Sequence, residues 1–124
     1  MEFEISFAED GCFVVKLTGK ANAKDCAAYF DRLTAHTQWK PGSLVLSDET
    51  ELEAGHLTEE DMEAMASVCD QRKGAIGSAR IAAFVQSDLV YGMNRMWQVY
   101  VEPHWNATVQ VFKSKAEAMA WLFK

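Results

Sequence analysis

The sequence predicts an α/β domain: a mixed five-stranded sheet with helices packed on it, in the order β-β-α-β-α-β-α-β-α. Three observations lead there. Two alternating apolar segments near the start are separated only by Glu9-Asp10-Gly11, which is hairpin chemistry. Three later apolar runs alternate with segments of helical period, and strands joined by single helices imply right-handed crossovers and a parallel core. The chain has 124 residues, 49% of them hydrophobic, enough for one core without disulfides or metal and too short for a second domain.

Residues 2–8 place Phe3, Ile5 and Phe7 on one side of a strand and Glu2, Glu4 and Ser6 on the other. Residues 12–19 repeat the pattern with Phe13, Val15 and Leu17, so the first two strands pair antiparallel. Asn22 is an N-cap for a helix to about His36, in which Cys26, Ala27, Phe30 and Leu33 form the inner stripe. Pro41-Gly42 breaks the chain before Ser43–Ser47, an interior strand. The acidic stretch 48–56 reads as a loop. Thr58 with Asp61 resembles a capping box for a helix whose stripe is Met62, Met65, Ala66 and Cys69.

Arg72–Gly77 is a linker into a second interior strand, 79–85, apolar on both faces. Ser87 caps a helix with Leu89, Met93, Met96, Trp97 and Tyr100 turned inward, and Pro103 ends it. Residues 107–112 alternate as the last strand, Val109 and Val111 sharing a face. Ser114 and Glu117 open a terminal helix carrying Ala118, Met119, Trp121 and Leu122.

With that order in view, Ala79–Val85 leading into Ser87–Met96, then Val109–Phe112, then Glu117–Leu122 resemble the small bacterial SpoIIAA-like proteins related to STAS domains. The resemblance spans the chain in element order, with its motifs concentrated in the last 46 residues. It implies a mixed sheet with helices as in STAS and CRAL-TRIO proteins, and no assigned reaction. STAS antagonists carry an Asp-Ser pair after the third strand. Here Ser47-Asp48 stands in reversed order, and the next hydroxyls are Thr50 and Thr58. No residue carries over as a phosphosite.

Charge and chemistry narrow the function classes. The formal net charge is -6, and Lys and Arg are scattered, which argues against nucleic acid. The longest apolar run, Ala118–Phe123, is far short of the roughly 20 residues a membrane span needs, so no integral membrane association and no leader is expected. Three cysteines at irregular spacing, Cys12, Cys26 and Cys69, suit a reducing cytoplasm. Cys12, beside Gly11, reads as the most exposed of them.

No nucleophile elbow, dinucleotide fingerprint or metal-ligand spacing occurs. The expectation is therefore no catalytic residue, no metal and no cofactor. The acidic loop with Asp48, Glu49, Glu51, Glu53 and Thr58, together with Tyr91, Asn94 and Arg95 on the outer side of the helix after Ser87, is read as a protein-interaction surface. Gly92, costly within that helix, suggests close approach of a partner backbone or ligand. The leading reading is a non-catalytic interaction or regulatory module with an unidentified protein partner, a homodimer included. The alternative is a small-molecule or lipid binder with an apolar pocket between helices and sheet near Met93, Met96, Trp97 and Trp121. An unrecognised enzyme ranks third.

Overall fold

Alternation and turn chemistry resolve into one sheet. The computed structural model describes residues 1–124. It contains β1 (Glu2–Phe7), β2 (Cys12–Lys20), α1 (Ala23–Thr34), β3 (Leu44–Glu53), α2 (Glu59–Gln71), a single turn α3 (Lys73–Ile76), β4 (Arg80–Phe84), α4 (Asp88–Val101), β5 (Thr108–Phe112) and α5 (Lys115–Leu122). The strands lie in sequence order, β1-β2-β3-β4-β5. β1 pairs antiparallel to β2, and every other pairing is parallel.

Because side chains alternate across a strand, each parallel register row belongs to one face. Phe13, Val45, Ile81 and Val109 form such a row, followed by Val15, Ser47, Ala83 and Val111. The first row packs against Cys26, Tyr29, Phe30 and Leu33 of α1, Ala66 and Cys69 of α2 and Val101 of α4. The opposite face has a smaller core, where Cys12, Leu46 and Ala82 meet Ala118 and Leu122 of α5. The caps act as expected. Asn22 accepts from the Asp25 amide at 2.8 Å, Thr58 and Asp61 form a reciprocal capping box, and Ser87 and Ser114 accept from Val90 and Glu117.

Four features depart from the sequence reading. First, β3 does not stop at Ser47 but continues through Asp48–Glu53, so most of the expected acidic loop is strand. β4 ends opposite Asp48, and beyond it β3 has only β2 for a neighbour. That neighbour is basic: Lys16 pairs with Glu51 at 2.6 Å and Lys20 lies opposite Glu53. Acidity that looked solvated is complemented across the strands.

Second, the buried side of α4 is rotated. Val90, Asn94 and Val101 are buried, with Met93, Trp97 and Tyr100 partly so, while Leu89 and Met96 face outward at 58% and 44% exposure. Third, the linker before β4 contains α3, pinned by buried Ile76. Fourth, Cys12 is fully buried, and burial pushes its thiol up to about 11. The expected exposure of Cys12 is not found, and burial disfavours the thiolate that would be its reactive form. Cys26 and Cys69 are buried as expected, and burial raises both thiols, that of Cys26 to about 12.

Candidate functional site

β3 carries an irregularity that sets up the site. Its register with β2 runs Lys16 to Asp48 and then Thr18 to Glu51, so Glu49 and Thr50 together oppose Leu17. This is a β-bulge, a device that re-aims a side chain. Asp48 stabilises it locally, its Oδ1 accepting from the Thr50 amide at 3.0 Å and the Thr50 hydroxyl at 2.7 Å. Ser47 and Glu49 both point under the helices. The Ser47 hydroxyl donates to Glu49 Oε2 at 2.9 Å, and Asn94 Nδ2 of α4 donates to Oε1 at 2.9 Å. Asn94 also donates to the Val90 carbonyl one turn earlier, which fixes its amide.

Around this carboxyl lies a half-open cavity of about 70 Å³ between the sheet and α1, α2 and α4. Sixteen of its twenty lining residues are hydrophobic, and the four polar ones are Asn22, Ser47, Glu49 and Asn94. The Asn22 amide is committed to the α1 cap and to Asp25, so Glu49 is the polar centre. Desolvation lifts its carboxyl above the ordinary glutamate range and Asp48 adds to that, while the bonds from Asn94 and Ser47 pull the other way. Burial likewise raises the Tyr29 phenol in the same wall, with Glu49 contributing. The Trp97 indole N–H, on another wall residue, is buried without a hydrogen-bond partner. Such a donor normally finds an acceptor in protein, water or ligand.

The structure redistributes the expected contact residues. Asp48 is partly buried; Glu51, Glu53, Thr58 and Arg95 are exposed. Glu49 and Asn94, each 9% exposed, are interior groups bonded to each other and cannot belong to an outer docking face. Tyr91 is partly buried, and the cation over its ring is Lys113 at 5.8 Å, with Lys113 also paired to Asp88. Within the chain nothing comes close to Gly92, since a Cβ there would meet nothing within 4 Å. Ser47 is buried under the helices and Thr58 is occupied as a cap.

Of the expected pocket residues, Met93 and Trp97 line the cavity. Met96 points outward, and Trp121 lies across the sheet, packed beside Phe112 with the Arg80 guanidinium 4.3 Å over its ring. The histidines stay apart: His36 abuts Phe13, His56 meets the Ala21 carbonyl, and His104 sits beside Asp70. No three His, Cys, Asp or Glu side chains converge as metal ligands, and no helix is long and apolar enough to cross a membrane.

A solved structure of the same architecture aligns over nearly the whole chain. It is that of an uncharacterized DUF3478-family protein with a SpoIIAA-like fold from Shewanella loihica PV-4, and it aligns with a TM-score of 0.62 at 18% identity over 98% of this chain and 92% of that one. The fold is SpoIIAA-like. The likeness is one of architecture, and one fold hosts many functions. No family model matches the sequence, and no curated protein does. In this SpoIIAA-like chain the roles of Glu49, Ser47 and Asn94 therefore rest on their own geometry.

Proposed function

We propose that this protein is a small-molecule binder whose site is the cavity between the sheet and α1, α2 and α4. The observation that carries this reading is an apolar hollow, open on one side, built around a single hydrogen-bonded carboxyl. Small-molecule sites combine these features: hydrophobic walls for affinity and a few placed polar groups for orientation. Met62, Met65 and Met93 in the wall are flexible enough to adapt to an occupant. A cavity engineered to about 150 Å³ holds benzene, so the smaller space here takes a head group and a few carbons, the rest of a chain leaving through the mouth.

The test is a titration of the isotopically labelled chain with 1-hexanol, followed by amide and methyl NMR. Saturable shifts at Met62, Met93, Trp97 and Ala83 are expected, with Leu89, Met96 and Val99 on the outside of α4 unmoved. Ala83→Leu, and separately Met93→Trp, fill the space and should weaken binding by tenfold or more. Shifts confined to the outer face of α4, or none that saturate, would reject the cavity.

A second reading, the non-catalytic interaction module, draws support from that outer face. Leu89, Met96 and Val99 are exposed apolar side chains there, with exposed Arg95 alongside, and a homodimer is one arrangement that would cover them. Three free, buried thiols suit a cytoplasmic setting.

A further inference from the structure

We propose that the cavity selects an organic ammonium: a small alkyl amine whose charged nitrogen takes the unfilled lone pairs of Glu49 while its hydrocarbon lies along the methionine and aromatic walls. This rests on the ligand-site reading above and names the head group that site accepts.

The argument begins with what faces the carboxyl. An ionised carboxylate offers about four acceptor sites, and the protein fills two, one from Asn94 and one from Ser47. Both donors are neutral. No Lys, Arg or His lines the cavity. α1 presents Cys26 and Tyr29, whose neutral forms burial favours, α2 presents Met62 and Met65, and α4 presents Met93, Asn94 and Trp97. Along β3 the neighbouring charge is Asp48, of the same sign. Met1 also lines the cavity, but its ammonium is taken by Asp25 at 2.9 Å, so the cavity holds a place for one negative charge and supplies no unpaired positive charge to meet it.

In the empty cavity a proton is the least costly counter-charge for Glu49, because an unpaired buried carboxylate is strongly disfavoured. An ammonium can take the proton's place. The exchange balances as protein carboxylic acid plus alkylammonium giving the carboxylate–ammonium pair plus one released proton. The rings of Tyr29, Phe30 and Trp97 in the wall favour the same occupant, since a cation near aromatic faces is attracted more strongly once desolvated. A carboxylate ligand would bury a negative charge that no unpaired cation in the wall meets. An alcohol would gain no charge pairing.

The experiment is isothermal titration calorimetry of the full chain with hexylamine, 1-hexanol and hexanoate, three probes alike in tail and different in head. Buffers of low and high ionisation enthalpy count the protons. Hexylamine is expected to bind at least tenfold more tightly than 1-hexanol, with hexanoate weakest, and to release protons. Its affinity should rise with pH until the empty-cavity Glu49 ionises. Glu49→Gln should erase the amine preference and leave 1-hexanol binding in place.

If 1-hexanol or hexanoate binds as well as hexylamine, the ammonium assignment is overturned and the cavity reading stands. If none of the three binds, both fall. Amine binding that releases no proton and persists in Glu49→Gln would also overturn the assignment. The wild-type head-group ranking and proton count decide the matter even if Glu49→Gln does not fold.

Discussion

At the residue scale, Glu49 breaks the rule that carboxylates stay at the surface unless paired with a cation. Two neutral hydrogen bonds make its burial tolerable without abolishing the cost, and the carboxyl responds by holding its proton above the ordinary glutamate range. In the unfolded chain that proton leaves first. The Glu49 contribution to stability is therefore fully present below the ordinary glutamate pKa of 4.5, declines as pH rises past it, and levels off once the folded carboxyl also ionises. Asp25, Asp31, Asp61 and Asp88, held low by their partners, act in the opposite sense and lose their contribution as pH falls. Comparing wild type with Glu49→Gln cancels the aspartates. The melting temperature of Glu49→Gln relative to wild type should climb as pH rises past the ordinary glutamate pKa of 4.5 and level off once the folded carboxyl ionises, measured by thermal unfolding in a pH series. A difference that does not change with pH would show the carboxyl to be solvated.

At the element scale, β3 and α4 position the site and are also the elements whose sequences mislead. The bulge at Glu49–Thr50 extends β3 past its apolar part. The clue was present: no Gly, Pro or Asn stands between Ser43 and Ala54, and Val45, Ser47 and Glu49 alternate on one face. Net charge outweighed that alternation because the cross-strand partners Lys16 and Lys20 are some thirty residues distant in sequence. In α4, apolar residues occur nearly all round, so period alone does not say which side is buried. Asn94 settles it by reaching Glu49, leaving Leu89, Met96 and Val99 outside. Gly92 falls on the exposed side with open space about it. Gly92→Ala should consequently stabilise the fold by up to about 1 kcal/mol through helix propensity and a less free unfolded chain, read as a higher melting temperature. A loss would reveal a close contact that this packing does not contain.

At the scale of the whole molecule, the sheet divides labour between its faces. α1, α2 and α4 cover one face and enclose the cavity, while α5 alone seals the small core on the other through Ala118 and Leu122. Trp121 belongs to that second face, held by Arg80, which stacks on its ring and donates to its carbonyl. Leu122→Ala should cost about 2–5 kcal/mol, as deletion of a buried leucine does, by loosening α5. Because the two faces share only the sheet, the folded fraction of Leu122→Ala should bind 1-hexanol with wild-type affinity in calorimetry. A tenfold weakening would mean that the faces are coupled through the strands.

Local patterns determined the fold class by themselves: hairpin alternation, capping residues and apolar runs separated by helical stripes are written within ten residues of one another, and they prescribe the mixed sheet. The site lay beyond such patterns. Glu49, Ser47 and Asn94 come from two elements 45 residues apart, and Glu49 and Asn94 alone read as surface residues. Tertiary structure decided their role, because burial of a polar group and the hydrogen bonds that compensate it are properties of the assembled packing and not of any one segment.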